Sequence, residues 1–273
     1  MNFDKELLQR ISDRSARVCV IGLGYVGLPL AVEFARAGLS VVGIDVNVDK
    51  CAQIMRGESY VGDVPSDVVA KMVEMGRLVS TTDYGPLDQA DAAIICVPTP
   101  LGKSKDPDIS YIVAAATALS EHMHPGMLVV LESTTYPGTT EEVILPKIAQ
   151  NGYTVGDDFF LAFSPERVDP GNKVYNTGNT PKVVGGMTPA CLTVATALYS
   201  TAVERMVPVT SPATAEMVKI LENTFRAVNI GLVNEMAQIC HNIGIDIWEV
   251  VESSSSKLFS FMPFYPGPGL GGH

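Results

Sequence analysis

Between residues 18 and 208, short apolar runs alternate with longer stretches whose apolar residues recur every three to four positions. The short runs read as buried strands and the longer ones as amphipathic helices. Val18-Cys19-Val20-Ile21 opens the series. An amphipathic run to Gly38 follows, and Leu39-Ser40-Val41-Val42-Gly43-Ile44 ends the first unit on Asp45. Val46-Asn47-Val48-Asp49-Lys50 reads as the capped start of a helix that runs to about residue 55, and Arg56-Gly57-Glu58-Ser59-Tyr60 breaks it. The pattern predicts further helices over 67–75, 109–122, 141–150 and 189–200. It predicts further strands over 78–80, 91–97, 126–131, 158–163 and 204–208, with a polar loop over 103–108 and Lys182-Val183-Val184-Gly185-Gly186 ahead of the 189–200 helix. Such alternation predicts an α/β fold with a doubly wound parallel sheet of the Rossmann type.

From Thr210 the pattern changes. Ser211-Pro212 makes an N-cap and first-turn pair. The next thirty or so residues hold no proline and only one glycine, Gly231. Met217, Ile220, Leu221, Phe225, Val228, Leu232, Met236 and Ile239 recur at helical spacing. This predicts one long linking helix over 211–240, followed by a short second helix over 244–251. The division expected is a dinucleotide-binding domain over 1–209 and the start of an all-helical central domain over 210–273. The long apolar helix is expected to pack against a second subunit, giving a homodimer.

The first strand runs straight into Gly22-Leu23-Gly24-Tyr25-Val26-Gly27. In a dinucleotide site the first glycine makes the tight turn, and the second lets the backbone approach a pyrophosphate. The third lets the helix pack close on the strand. The helix N-terminus then offers free N–H groups and the positive end of its dipole. Asp45 lies eighteen residues beyond Gly27, where a carboxylate accepts from a ribose 2′-OH and repels a 2′-phosphate. NAD rather than NADP is therefore the expected cofactor. A glycine-rich turn in some other α/β domain is the plain alternative.

Lys50 is placed to reach the adenosine end of the cofactor, or is simply a solvated helix lysine. Ligands gather at the carboxyl ends of parallel strands. That makes Pro98 and Thr99, after the 91–97 strand, candidates for the nicotinamide half; a proline-stopped strand is the alternative. Hydroxyls crowd the next strand end, Glu132-Ser133-Thr134-Thr135, with Ser133 and Thr134 beside the expected nicotinamide. Lys219 and Asn223 stand four apart and share a helix face. Together they can hold an oxyanion that forms when an alcohol is oxidised. Taken alone, the pair reads rather as a solvated lysine and an interior asparagine with a local partner.

Composition narrows the classes. Thirty acidic and nineteen basic side chains give a net charge of −11, which argues against a nucleic-acid surface. The five cysteines, Cys19, Cys51, Cys96, Cys191 and Cys240, show no CxxC or metal-ligand spacing. They read as small buried residues in a reducing compartment, and no metal is expected. Residues 1–17 are polar, without the apolar core of a secretory signal. No apolar run reaches the roughly 18 residues of a membrane span. A soluble, cytoplasmic protein is expected. The Gly/Pro-rich ending, Pro266-Gly267-Pro268-Gly269-Leu270-Gly271-Gly272-His273, stops without a capping element and reads as a truncation.

The motifs now in hand are Gly22 to Pro29, Val97-Pro98-Thr99-Pro100, Glu132-Ser133-Thr134, Ser164-Pro165-Glu166-Arg167, Lys219-x-x-x-Asn223 and Gly267-x-Gly269-x-Gly271-Gly272-His273. In this order the set resembles the nucleotide-sugar 6-dehydrogenases, the family of UDP-glucose, UDP-N-acetylhexosamine and GDP-mannose dehydrogenases. The resemblance implies oxidation of a sugar C6 alcohol to a carboxylate in two steps with two NAD. It implies that Lys219 and Asn223 stabilise the alkoxide and later oxyanions. It implies that Glu166 and Thr134 position or activate the water that hydrolyses a thioester. Arg167 would contact a substrate group, and Phe264, Tyr265 and Gly271 would line the sugar site.

The family nucleophile is a cysteine immediately after the Gly-Gly-His or Gly-Gly-Ser triplet, and this chain ends at His273. The C-terminal nucleotide-binding domain is likewise outside it. The chain is therefore expected to bind NAD without completing the oxidation. The UDP-glucose members carry a second glutamate where this chain has Pro170. The likeness is therefore greater to the UDP-N-acetylglucosamine and UDP-N-acetylmannosamine members. A UDP-glucose 6-dehydrogenase, a two-electron β-hydroxyacid dehydrogenase and a non-catalytic NAD-binding protein remain as alternatives.

Overall fold

The computed structural model describes residues 2–100, 102, 107–149, 152–168, 172 and 174–268. The chain forms two compact units, Met1–Met217 and Val218–His273.

The first unit is built on an eight-stranded sheet. Its strands are β1 (Arg17–Ile21), β2 (Ser40–Ile44), β3 (Leu78–Thr81), β4 (Ala92–Ile95), β5 (Leu128–Leu131), β6 (Phe160–Phe163), β7 (Lys182–Gly186) and β8 (Met206–Val209). They lie in the order β3-β2-β1-β4-β5-β6-β7-β8. Every residue of β4, β5 and β6 is buried, as expected for strands covered on both faces. The covering helices are α1 (Phe3–Ser12), α2 (Gly27–Arg36), α3 (Val48–Met55), α4 (Ser66–Glu74), α5 (Ser110–Ser120), α6 (Leu145–Ile148) and α7 (Pro189–Tyr199). Phe34 of α2 and Tyr199 of α7 meet in the core with ring centroids 5.6 Å apart. Chain order reverses between β1 and β4, so the crevice at their carboxyl ends is the topological switch point where ligands bind in such sheets.

The expected alternation holds for six strands and then breaks. β7 pairs antiparallel with β6, through Ala162↔Gly186 and Phe163↔Gly185, and β8 runs parallel to β7. A parallel partner needs a crossover that carries the chain back across the sheet, usually a helix. No helix lies between β6 and β7 among the described residues, and the doubly wound parallel sheet expected from sequence carries this one antiparallel pair. The predicted helix over 141–150 begins as a wider π-type turn, Thr140–Ile144, ahead of α6. Pro146 lacks an N–H there and cannot close an ordinary helical hydrogen bond. Helix α1 lies in the N-terminal stretch, where sequence reading found only polarity. Two of its residues, Leu7 and Ile11, are buried in the sheet's core.

The second unit contains most of α8 (Pro212–Ile243) and α9 (Ile247–Ser255). At the start of α8 the Ser211 hydroxyl accepts from the Thr214 amide at 3.1 Å, the cap read from sequence. All five cysteines are free and buried. No helix among the described residues is long and apolar enough to cross a membrane.

Candidate active site

The glycine turn sits at the carboxyl end of β1, over the end of β4. Gly22 has φ +93°, and a Cβ there would meet the Cys96 carbonyl oxygen at 2.7 Å. A Cβ on Gly27 would lie 1.8 Å from the Gly22 carbonyl oxygen, so helix and turn touch main chain to main chain. Gly24 differs, because a Cβ there meets nothing within 4 Å. The space where that Cβ would stand is open. The first bond of the helical ladder runs from the Leu28 amide to the Gly24 carbonyl at 3.1 Å. The amides of Tyr25, Val26 and Gly27 therefore have no intrahelical partner. Tyr25 is 74% exposed, and Leu23 is wholly buried against Gly43 of β2.

Asp45 ends the adjacent strand and is wired into the turn. Its carboxylate accepts from the Leu23 amide at 2.8 Å and the Asn47 amide at 2.9 Å. The Tyr60 hydroxyl donates to the Leu23 carbonyl at 2.5 Å. Burial, with Asp45 nearby, pushes the Tyr60 phenol well above its ordinary value. Lys50 stands 3.8 Å from Asp45 and 5.6 Å from the centre of the Tyr60 ring. So Leu23, a predicted cofactor residue, has both main-chain groups engaged inside the protein. An open cradle at Gly24, unpaired helix amides and a carboxylate at the next strand end fit the pyrophosphate and ribose of a dinucleotide.

The ends of β4 and β5 are tied together by a buried hydroxyl. Ser133 Oγ donates to the Val97 carbonyl at 2.7 Å, which holds the segment carrying Pro98 and Thr99. Thr134 is exposed at the same edge, and Pro98 is exposed as well. Beyond them Glu216, fully buried at the start of α8, gathers the loop after β5. Its carboxylate accepts from the Gly138 amide at 2.6 Å, the Thr140 amide at 3.0 Å and the Thr140 hydroxyl at 2.7 Å. Nothing in its spacing singles out Glu216, which falls within the apolar helical pattern.

Glu166 follows β6, and its Oε1 accepts from the Arg167 amide at 2.8 Å and the Val168 amide at 2.6 Å. Its Oε2 lies 4.0 Å from the ammonium of Lys182. That lysine, the first residue of β7, is buried and donates to Glu132 Oε2 at 2.9 Å. The other Glu132 oxygen accepts from the Tyr199 hydroxyl at 2.5 Å. Burial raises the Glu132 carboxyl above the usual carboxylate range, against the pull of Lys182. Burial works to deprotonate Lys182, but Glu132 and Glu166 outweigh it and leave its pKa above the ordinary value. Burial and Glu132 hold the Tyr199 phenol far above its own. Sequence reading missed Lys182 and Tyr199, since residues 50 and 67 positions from Glu132 carry no local signal of this contact. The Arg167 guanidinium donates to the Pro181 carbonyl at 2.6 Å.

In the second unit, Lys219 and Asn223 are half-buried on α8. Phe264 meets Phe225 edge-on at 5.6 Å, and Tyr265 stacks on Trp248 at 5.6 Å. Asn234 fastens this tail to α8 by a reciprocal pair: its Nδ2 donates to the Gly267 carbonyl at 2.8 Å, and its Oδ1 accepts from the Gly267 amide at 2.9 Å. Gly271, Pro170 and most of the 103–108 loop lie outside the described residues.

Residues 16–203 match the model for the UDP-glucose/GDP-mannose dehydrogenase family NAD binding domain, and residues 213–273 match that family's central domain. The chain is similar to the UDP-N-acetyl-D-glucosamine 6-dehydrogenase of Pseudomonas aeruginosa, 37% identical over 262 residues. That similarity covers 95% of this chain and 61% of the relative. It is 38% identical over 264 residues to the UDP-N-acetyl-D-mannosamine dehydrogenase of Pyrococcus horikoshii, covering 94% of this chain and 61% of the relative. Its fold is similar to the native structure of the UDP-N-acetyl-mannosamine dehydrogenase of Staphylococcus aureus. The TM-score is 0.85 at 34% identity, over 94% of this chain and 62% of the other. The chain thus spans about three fifths of the length of these relatives.

Proposed function

We propose a function from one premise: this chain belongs to the UDP-glucose/GDP-mannose dehydrogenase family. The full-length gene product is an NAD-dependent UDP-N-acetylhexosamine 6-dehydrogenase. It converts RCH2OH, two NAD+ and water into RCOO−, two NADH and three protons. NAD, when bound, accepts the hydride in each oxidation. The observation that carries the reading is the family match across the open glycine cradle and the Glu132–Thr134 and Glu166 strand ends. The hexosamine reading draws support from Pro170 in place of a second glutamate and from the names of the similar proteins.

The unpaired amides at the start of α2 bind the pyrophosphate, and Asp45 accepts from the adenosine ribose, with Lys50 beside it. Pro98, Thr99 and Ser133 shape the nicotinamide end. Lys219 and Asn223 donate to the substrate oxygen as the alcohol gives up its proton, and later to the tetrahedral oxyanion. Glu166 and Thr134 orient the water that releases the acid from its thioester, and Glu166 takes the water's proton. The thioester forms on the cysteine that this family carries after its Gly-Gly-His triplet. Arg167, Phe264, Tyr265 and Gly271 contact the sugar.

The proposed partner is a second copy, docked along α8. Leu221, Phe225, Val228, Leu232, Met236 and Ile239 form an exposed apolar stripe there, of the kind that marks an interface. Leu221→Glu with Leu232→Glu is expected to give the monomer mass by sedimentation; an unchanged dimer would refute this face.

The activity test is NADH formation by the full-length gene product on UDP-N-acetylglucosamine, UDP-N-acetylmannosamine and UDP-glucose. Two NADH per N-acetylhexosamine are expected. Turnover of a small hydroxy acid with one NADH, and none on the UDP sugars, overturns the reading in favour of a β-hydroxyacid dehydrogenase. The 273-residue chain is expected to bind NAD without turnover.

A further inference from the structure

We propose that Lys182 is a positioning residue for Glu166, an inference that rests on the water-orienting role given to Glu166 above. The reversed strand puts it there. The antiparallel register of Ala162↔Gly186 and Phe163↔Gly185, carried three residues further, sets Lys182 against Glu166. A parallel β7 would have delivered its first residue to the opposite edge of the sheet, away from the ligand crevice.

The three ammonium donors have few places to go, because Lys182 is 5% exposed. Glu132 takes one at 2.9 Å, and the Pro165 carbonyl, next to Glu166, lies at 3.5 Å. Glu166 Oε2 lies at 4.0 Å, and the Tyr199 ring covers the cation with its centre at 5.2 Å. Glu132 is itself fixed by the Tyr199 hydroxyl, so the cation cannot drift. The two oxygens of Glu166 are therefore held differently. Main-chain amides fix Oε1, and the buried cation faces Oε2. Both contacts hold the carboxylate in one orientation.

Buried ion pairs contribute little net stability compared with well-packed apolar residues. Their position here, behind the carboxylate at the ligand edge, gives this one a use. In the hydrolytic step the water oxygen bonds to the acyl carbon, the carbon–sulfur bond breaks, and the thiolate leaves. The water's proton passes to Glu166. A carboxylate free to rotate would perform this step slowly, while cofactor binding at the β1 turn would be untouched.

The test uses the full-length gene product. Lys182→Met alone strands the Glu132 charge in the core and is expected to fold poorly. The informative variant is Lys182→Met/Glu132→Gln, which removes both charges and keeps a hydrogen-bond acceptor for Tyr199. It is expected to fold, to bind NAD as wild type does, and to keep KM for the UDP sugar within about twofold. Its kcat is expected to fall at least about tenfold, and the acyl-enzyme is expected to build up by intact mass. Lys182→Arg, which restores the cation, should recover most of the rate. An unchanged kcat overturns the proposal, as does a fall in kcat without acyl-enzyme build-up, or with NAD binding lost in parallel. A wild-type enzyme that makes no second NADH instead refutes the function on which the proposal rests.

Discussion

Gly24 and Gly27, three residues apart in the same loop, ought to respond oppositely to one added methyl group. At Gly24 a Cβ meets no protein atom within 4 Å, and the residue does not lie in the left-handed region. Gly24→Ala should therefore leave the fold intact. It should even add about 0.4–1 kcal/mol by restricting the unfolded chain. The methyl group instead occupies the space where the pyrophosphate must approach. NAD affinity is expected to fall at least about tenfold, or about 1.4 kcal/mol. At Gly27 a Cβ would sit 1.8 Å from the Gly22 carbonyl oxygen, and real Cβ atoms stay beyond 3.0 Å. The main chain must move by more than an ångström, and overpacking of this kind costs about 1–3 kcal/mol or more. Gly27→Ala should lose stability and affinity together. Urea unfolding and titration calorimetry with NAD, run on the same preparations, separate the cases. Wild-type NAD binding by Gly24→Ala would refute the reasoning, because the cradle would then not be where the phosphates lie.

Other expectations concern buried polar groups. Glu216→Ala leaves the Gly138 and Thr140 donors without their acceptor and should cost about 2–4 kcal/mol in urea unfolding, with Glu216→Gln in between; a loss below about 1 kcal/mol would show the loop is held by something else. Alkaline pH should destabilise the chain. Tyr199 and Lys182 titrate above their ordinary values of 10.0 and 10.5, and burial pushes the Cys19 thiol up from 9.0 to about 12. The native state then holds protons that the unfolded chain releases, so stability is full below about pH 9 and falls as pH climbs toward 12. Urea midpoints at pH 7, 9, 10 and 11 check this, and a midpoint that stays level or rises to pH 11 would contradict it.

Much of the first unit was legible because its signals are local. The β1–turn–α2–β2 unit, the capped helix start at residues 46–50 and the Ser211 cap each depend on residues within a few positions of one another. The direction of β7 was not legible. A short run such as Lys182–Gly186 reads the same whichever way it is threaded, and nothing local marks its antiparallel pairing with β6. Helix α1 was hidden because only Leu7 and Ile11 are buried, too few to mark a face in a charged stretch. At the candidate site, sequence placed Ser133 and Thr134 together beside the nicotinamide. Only the fold separates an exposed Thr134 from a Ser133 whose hydroxyl is engaged with the Val97 carbonyl. The Lys182–Glu132–Tyr199 cluster is assembled across long separations, which no spacing rule reaches.

The five buried thiols give this chain a practical property. With none at the surface and none paired, a maleimide has nothing to react with until the protein opens. A single cysteine introduced at an exposed position would carry a dye on an otherwise silent background. Conversely, the uptake of reagent at Cys19 in β1, located by peptide mass, would clock how often that central strand breathes.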